Sequence, residues 1–234
     1  RVSRSAPLEY VRFGASHMVV AMGVRLIVLR HGETEWNREG RYQGCIDTRL
    51  SGEGLAQASA VSRALASGRL GAVYSSPLAR ARETAEAIAK PHGLAVSEDS
   101  AFAEICHGLW EGLTVEQVKA EFPDLYATWL ARPQTVTMPN GESLAQVRER
   151  VLGRLGGLKA DHPGETVCLV THGSPLRLVL LDALGCSLDR FWMFHCGSTG
   201  MSEIEYENGR TVLRRMNNVG HLDRPVVAPS HAAH

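Results

Sequence analysis

The chain has no excess charge of either sign and no long apolar run. Its 25 lysines and arginines balance 25 aspartates and glutamates, so the net charge at pH 7 is zero when the histidines are neutral. A balanced chain has no overall field that would attract nucleic acid or an anionic membrane. No apolar stretch is long enough to cross a bilayer. We therefore predict neither a nucleic-acid partner nor a membrane partner.

The cysteines lack the spacing of a disulfide framework or a zinc knuckle. They are five in number, form no C-x-x-C pair and are scattered at Cys45, Cys106, Cys168, Cys186 and Cys196. An odd, scattered set is typical of free thiols in a reducing compartment. We therefore predict a cytoplasmic protein with no disulfide framework.

The chain also lacks internal repeats and low-complexity tracts, and its 234 residues are most simply one domain. We predict that this domain spans residues 18–223. Residues 14–18, Gly-Ala-Ser-His-Met, resemble the scar of an expression vector. Residues 1–17 are therefore interpreted as an expression-tag leader, since they have no apolar core of a secretory signal. Residues 224–234 are predicted to be a flexible tail.

Short apolar runs alternate with amphipathic helical patterns along the chain. The runs 24–29, 70–74 and 167–170 are predicted to be strands buried on both faces. Residues 201–214 are predicted to form a β-hairpin around an Asn-Gly turn. This alternation predicts an α/β fold in layers, with a mostly parallel central sheet flanked by helices.

Two Ser-Pro pairs, Ser76-Pro77 and Ser174-Pro175, are predicted to begin helices, each directly after a predicted strand. Serine favours the N-cap position and proline the first helical position. The free amides at a helix start bind anions. Both helices are therefore predicted to point amides at a common anion.

Two histidines stand where predicted strands end in glycine-containing turns, His31 in Arg-His-Gly and His172 in Thr-His-Gly. In open α/β sheets the carboxyl edge of the strands is where ligands bind. If the strands are neighbours, Arg30 and Arg80 reach the same edge, and guanidinium groups bind phosphate in a bidentate manner. The sequence therefore predicts a phosphate site.

The histidines suggest what happens to that phosphate. A neutral imidazole is a nucleophile at about pH 7, and it carries no positive charge that would repel the arginines beside the phosphate. We predict in-line attack of His31 on phosphorus, which gives a phosphohistidine, while His172, Arg30 and Arg80 stabilise the equatorial oxygens. The leaving alkoxide needs a proton. Glu104, which follows a weak strand and lies among apolar residues, is the candidate donor.

Several ordered blocks carry a family resemblance. They are Leu29-Arg30-His31-Gly32-Glu33-Thr34-Glu35-Trp36-Asn37, Gly44-x-x-Asp47-x-x-Leu50-Ser51-x-x-Gly54, Ser75-Ser76-Pro77-Leu78-x-Arg80-x-x-x-Thr84-Ala85, Glu104-x-x-x-Gly108-x-Trp110-Glu111-Gly112-Leu113-Thr114, Gly141-Glu142-Ser143 and Thr171-His172-Gly173. A lone Arg-His-Gly would be a weak signal, whereas ordered blocks are a strong one. Over residues 25–222 the chain resembles the histidine phosphatase superfamily, also called the phosphoglycerate mutase-like family.

The resemblance implies a three-layer phosphoglycerate mutase-like fold and a phosphoric monoester hydrolase that needs no metal and no cofactor. It implies that His31 is the phosphorylated nucleophile and that Glu104 is the proton donor. The implied phosphate ligands are Arg30, Asn37, Arg80 and His172. We further predict a substrate pocket lined by Gln43, Gly44, His107 and Trp110. Among these, His107 belongs to a Cys-His pair that departs from the usual family pattern.

The segment after the predicted acid separates a phosphatase from a mutase. Between residues 105 and 141 the only cations are Lys119 and Arg132, against four carboxylates. Phosphoglycerate mutases of the family typically carry a longer, basic segment there. We therefore predict a phosphatase for a small phosphorylated metabolite whose leaving group lacks a second strong negative charge.

Three alternatives stay open at this point. The block from Gly108 to Thr114 resembles the α-ribazole phosphatase branch and the broad-specificity phosphatases, and nearby aromatics could stack on a base, so α-ribazole 5′-phosphate is one candidate substrate. A cofactor-dependent phosphoglycerate mutase is the second alternative. A module that binds a phosphate ligand without catalysis is the third, disfavoured because nucleophile and acid are both present. Whether the chain forms a homodimer also stays open.

Overall fold

Six strands and seven α-helices make up residues 23–222, the part of the chain described by a computed structural model. The predicted leader 1–17 and tail 224–234 lie outside these residues. The strands are β1 (Val24–Arg30), β2 (Ala72–Ser75), β3 (Val96–Glu98), β4 (Thr166–Thr171), β5 (Met201–Glu207) and β6 (Arg210–Asn218). The helices are α1 (Glu35–Arg38), α2 (Gly52–Leu65), α3 (Ala79–Ala89), α4 (Val115–Glu121), α5 (Pro123–Ala131), α6 (Leu144–Asp161) and α7 (Gly173–Ala183).

The strands form one sheet in the order β3-β2-β4-β1-β5-β6. β3, β2, β4 and β1 pair in parallel, whereas β5 runs antiparallel to β1 and β6 antiparallel to β5. The predicted hairpin is confirmed as β5 and β6. Its turn residues Asn208 and Gly209 both have positive φ, as a two-residue hairpin turn requires.

Helices cover both faces of the sheet, which confirms the layered α/β prediction. Alternate residues of β1 serve the two sides: Leu26 and Val28 belong to one apolar cluster, and Ile27 and Leu29 to the other. The first cluster contains buried residues of α4 to α7, and the second contains residues of α2 and α3. A strand covered on both faces must be apolar throughout, which is why β1 shows no polar alternation.

Side-chain caps begin several of the helices. Ser51 caps α2 through its hydroxyl, which accepts from the amide of Gly54. α4 and α6 begin with capping boxes at Thr114 and Ser143. Among residues 23–222, no helix combines the length and the apolar composition that a membrane span requires.

The sheet order brings three strand ends together at one edge. β4 lies between β1 and β2. The amide of His31 donates to the carbonyl of Thr171 at 2.9 Å, and the amide of Ser76 donates to the carbonyl of Val170 at 3.1 Å. β1, β4 and β2 are therefore neighbours, as the predicted site requires.

Candidate active site

His31 lies at the end of β1 with a side chain that is only 2% exposed. Its Nδ1 lies 2.6 Å from the carbonyl oxygen of Gly32. A carbonyl oxygen only accepts, so Nδ1 carries the proton and Nε2 keeps the lone pair in the neutral ring. Burial, and then the charges of Arg80 and Arg30, hold the pKa of His31 well below 6.5. The ring is therefore neutral and nucleophilic at about pH 7.

His172 directly follows β4, and its ring centroid lies 5.0 Å from that of His31. Its Nε2 lies 2.7 Å from the hydroxyl oxygen of Ser76. That hydroxyl accepts from the amide of Leu78, so its own proton is available to His172. In this arrangement Nδ1 of His172 is the protonated nitrogen and can donate to a ligand. Burial, followed by Arg80, keeps the pKa of His172 well below 6.5.

Two buried guanidinium groups stand beside the histidines. Arg30 is 4% exposed and donates through Nη1 to the carbonyl of Cys196 at 3.1 Å. Arg80 is 1% exposed and donates at 2.8 Å to the carbonyls of Gly44 and Ile46. Burial lowers the pKa of each arginine to about 10, while Glu104 opposes the shift. Both therefore stay cationic at neutral pH.

Glu104 receives three backbone hydrogen bonds, two of them from the start of α7. Its oxygens accept from the amides of Gly173 at 3.1 Å and Ser174 at 3.2 Å, and also from Ile105. The carboxylate is 6% exposed and electrostatically coupled to Arg30. The predicted acid therefore lies in the same cluster as the predicted phosphate ligands.

The prediction that both helix starts offer amides to the anion is wrong. α3 begins at Ala79, two residues after Pro77, and the carboxylate of Asp47 accepts from the amide of Ala79 at 2.6 Å. α7 begins at Gly173 and has the carboxylate of Glu104 on its first amides. Protein carboxylates thus occupy the positions where amides were expected to hold phosphate. Side chains, not helix ends, must supply the anion donors.

Four predicted phosphate ligands have a buried nitrogen with no hydrogen-bond partner among the residues that the structure describes. These atoms are Nε of Arg30, Nε of Arg80, Nδ2 of Asn37 and Nδ1 of His172. The amide oxygen of Asn37 caps α1 by accepting from Thr34, which leaves its amino group unused. Buried polar groups are nearly always paired in folded proteins. These four nitrogens are therefore available to donate to a ligand.

Sequence analysis missed the arginine that supports Glu104. All five N–H groups of Arg150 donate: two to the carboxylate of Glu142, and three to the carbonyls of Ala101, Ala103 and Glu104. These bonds fix the backbone on both sides of the predicted acid. The only sequence signal was the Gly-Glu-Ser block that contains Glu142, and spacing does not connect it with an arginine eight residues later.

The prediction of free thiols is wrong for two of the five cysteines. Cys45 and Cys106 form a disulfide with their Cα atoms 5.0 Å apart, a separation typical of such bonds. Cys168, Cys186 and Cys196 have free thiols. The two half-cystines are 61 residues apart in sequence, so local spacing carries no sign of the pair. A disulfide is not typical of a protein in a reducing compartment. The cytoplasmic location therefore stays a prediction.

Gln43 and Gly44 lie in the loop between α1 and α2. The side-chain oxygen of Gln43 accepts from the hydroxyls of Thr34 and Thr48, so it fixes the loop. Gly44 has φ of +51°, and a Cβ there would collide with the carboxylate of Glu111. Only glycine therefore allows the chain to approach so closely while its carbonyl orients Arg80.

His107 and Trp110 are both fully buried. Their rings are parallel to within 6°, with centroids 6.3 Å apart, and His107 also contacts Tyr42 and Trp129 edge-on. Trp110 and Trp129 pack inside the core and offer no exposed ring face, which disagrees with the predicted pocket role of Trp110 and with stacking of these two rings on a base. A pocket role for His107 stays a prediction that depends on its position three residues after Glu104.

The two buried histidines make the folded protein sensitive to acid. In the unfolded chain each takes up a proton at its ordinary pKa of 6.5, whereas in the fold His31 and His172 stay neutral to lower pH. The unfolded state therefore binds more protons below pH 6.5, and stability falls there. We expect the free energy of unfolding to drop by up to about 1.4 kcal/mol per pH unit for each histidine.

Urea denaturation between about pH 7.5 and pH 5 measures this dependence. The double variant His31→Ala/His172→Ala should show a shallower slope than the unchanged protein. His195 and His221, whose pKa values burial also lowers, account for part of the slope that remains. Equal slopes in the two proteins would contradict the assignment.

Comparison with known proteins agrees with this geometry. The profile of the histidine phosphatase superfamily (branch 1) matches residues 26–219. Phosphoserine phosphatase 1 of Hydrogenobacter thermophilus is 40% identical over 199 residues, which cover 85% of this chain and 94% of that protein. The structure of YhfR from Bacillus stearothermophilus superimposes with a TM-score of 0.81 at 31% identity, covering 85% of this chain and 98% of that one.

A phosphoserine phosphatase variant from Entamoeba histolytica, solved in complex with phosphoserine, matches with a TM-score of 0.77 at 32% identity. It covers 85% of this chain and 99% of that one. The fold and these matches define the class: the protein is a phosphoric monoester hydrolase. More particularly, the chain belongs to the histidine phosphatase superfamily, branch 1.

Proposed function

We propose that the protein hydrolyses a small phosphomonoester without a metal ion, through a phosphohistidine on His31. The observation that carries the proposal is the set of buried, unpaired donor nitrogens on Arg30, Arg80, Asn37 and His172. A phosphoryl group offers these donors the oxygens that the protein itself does not supply. Two guanidinium groups also give the charge neutralisation that a metal supplies in other phosphatases.

The first half of the reaction is transfer to the enzyme. Nε2 of His31 attacks phosphorus and the bond to the leaving oxygen breaks. Arg30, Arg80 and His172 stabilise the charge that spreads over the equatorial oxygens. Glu104 donates a proton to the leaving oxygen, so an alcohol departs rather than an alkoxide.

The second half is hydrolysis. Glu104, now a carboxylate, accepts a proton from a water molecule as that water attacks the phosphohistidine. The amides of Gly173 and Ser174 stabilise this carboxylate while it acts as the base. The products are inorganic phosphate and neutral His31, ready for another cycle.

Phosphoserine is the substrate that we propose first. Two of the proteins compared above carry its phosphatase name, at 40% and 32% identity. The leaving group, serine, has one ammonium and one carboxylate, which suits a segment of net acidic character better than phosphoglycerate does. α-Ribazole 5′-phosphate becomes a weaker candidate, because Trp110 and Trp129 are buried and offer no ring face for a base.

A panel of phosphomonoesters tests the proposal directly. Phosphate release is measured with phosphoserine, α-ribazole 5′-phosphate, sugar phosphates and phosphoglycerates, each with and without a chelator. We expect the highest kcat/KM with phosphoserine and no loss of activity with chelator. We also propose that His107 contacts the leaving group, so His107→Ala should raise KM for phosphoserine more than for p-nitrophenyl phosphate. Release that requires an added divalent ion would contradict the mechanism.

The same panel separates the alternatives. Movement of the phosphoryl group between positions of a phosphoglycerate, in place of release to water, would identify a mutase. Binding of phosphoserine without turnover by the unchanged protein would identify a binding module. Either result would replace the hydrolytic proposal.

A further inference from the structure

The disulfide between Cys45 and Cys106 joins two segments that the proposed reaction needs at a fixed separation. Cys45 lies between Gly44 and Ile46, whose carbonyls hold the two Nη atoms of Arg80 at 2.8 Å. Cys106 follows Glu104 by two residues. The bond thus connects the loop that orients a phosphate ligand with the segment that carries the proposed acid.

Other contacts cross the same junction, but none of them is covalent. The sulfur of Cys45 lies 3.9 Å from the carbonyl oxygen of Glu104. One carboxylate oxygen of Glu111 accepts from the amides of both Cys45 and His107 at 2.9 Å. Breaking the disulfide would leave the separation of the two segments to these hydrogen bonds, and backbone carbonyls that orient Arg80 would gain freedom.

The disulfide is also within reach of a reductant. Cys45 and Cys106 are both partly exposed, whereas the free thiols of Cys168 and Cys196 are buried. Exposure is one condition for thiol–disulfide exchange, since the attacking thiolate must approach a sulfur atom along the S–S axis. Among the other cysteines, Cys186 alone is partly exposed and provides a matched control.

We propose that Cys45–Cys106 is a redox modification site, at which reduction by a dithiol lowers the activity of the adjacent catalytic centre. A thiolate of the dithiol attacks one sulfur and the S–S bond breaks, which gives a mixed disulfide. The second thiolate of the reductant displaces the protein sulfur and closes its own disulfide. The two protons of the dithiol end on Cys45 and Cys106, so the protein gains two electrons and two protons.

This redox proposal rests on the proposed function, and it predicts that reduction lowers activity. In the reduced protein Arg80 and Glu104 lose their fixed separation, so phosphate binding and proton transfer both weaken. Misplacement of catalytic groups by about 1 Å costs up to 100-fold in rate. We expect kcat/KM for phosphoserine to fall by about tenfold on reduction and to recover when the dithiol is removed and the protein is reoxidised.

The test compares oxidised and dithiothreitol-reduced protein well below the melting temperature of either form. Alkylation and mass spectrometry under denaturing conditions count the free thiols, with three expected before reduction and five after. A chelator is present throughout, because ligand atoms of Cys45, Cys106 and Glu111 lie within 4.8 Å of one another and could collect a metal after reduction. Five thiols before reduction would overturn the proposal.

Variants assign the effect to this disulfide. The double variant Cys45→Ser/Cys106→Ser should have the low activity of the reduced protein and no response to dithiothreitol. Cys186→Ser should respond like the unchanged protein. Equal activity of the oxidised and reduced forms, or a response that persists in the double variant, would overturn the proposal.

Phosphate affinity keeps the inference testable if no phosphomonoester is turned over. Inorganic phosphate is titrated calorimetrically into both redox forms. A Kd about tenfold weaker in the reduced form supports the redox site even when the proposed hydrolysis fails. An unchanged Kd together with unchanged turnover refutes the redox site while leaving the hydrolytic function in place.

Discussion

Replacing His31 with alanine is expected to abolish phosphate release, with kcat/KM reduced by about 10,000-fold or more. The nucleophile has no substitute nearby in the required geometry. His172 is the adjacent ring, but its Nε2 is engaged by Ser76 and its other nitrogen is a donor in the proposed tautomer. Alanine also removes the only proposed acceptor of the phosphoryl group, so water would have to attack the ester directly.

Trapping of the intermediate accompanies the kinetic measurement. Protein mixed with radiolabelled substrate and quenched in alkali should retain label, since phosphohistidine survives alkali and is lost in acid. His31→Ala should retain none. His92→Ala is the matched control, because His92 lies just past the far end of α3 from Arg80 and should keep normal turnover. Label that persists in His31→Ala would place the nucleophile elsewhere.

The strands and the edge that holds the site were predictable because their signals are local. β1 and β4 are apolar runs that end at His31 and His172, and the run itself indicates burial on both faces. The parallel alternation then predicts that both ends lie at one edge. Because β4 lies between β1 and β2, the strand ends that precede Arg80 and carry Arg30, His31 and His172 are neighbours at this edge.

Long-range partners could not be predicted from local spacing. Ser76 and Ser174 looked like N-caps, yet the amides at these helix starts bond to Asp47 and Glu104, which are 32 and 69 residues away. A carboxylate is a stronger acceptor for a helix amide than a serine hydroxyl, because it also interacts with the helix dipole. At both helix starts a carboxylate from a distant part of the chain therefore replaces the local serine cap.

The burial of the aromatic side chains could not be predicted from the sequence for a similar reason. Trp110 was predicted to line the substrate pocket, and the aromatics near it, Trp129 among them, were a possible stacking surface for a base. In the structure both are fully buried, and Trp129 packs edge-on against Trp192 at 5.3 Å between centroids. Which side chains of a short helix face the core depends on how the helix docks, and the sequence of the helix alone does not determine that.

Replacing Glu104 with glutamine is expected to slow the reaction according to the leaving group. Serine leaves as a poor alkoxide and needs the proton, so kcat/KM for phosphoserine should fall by about 100- to 10,000-fold. Nitrophenolate is stable without a proton, so p-nitrophenyl phosphate should lose less than about tenfold in the transfer to His31. Burst kinetics with the aryl ester isolate that transfer from the slower hydrolysis.

The structure offers a control that separates chemistry from helix capping. Asp47 caps α3 by accepting from the amide of Ala79, and Glu104 caps α7 by accepting from the amides of Gly173 and Ser174. Asp47→Asn keeps an acceptor oxygen but loses the charge that interacts with the helix dipole, which contributes about 0.3–1 kcal/mol, so the melting temperature should fall slightly, while any rate loss should be the same for both esters. If Glu104→Gln also slowed both esters equally, the carboxylate would be a structural cap of α7. A leaving-group dependence confined to Glu104→Gln would establish it as the acid, since only proton transfer distinguishes the two substrates.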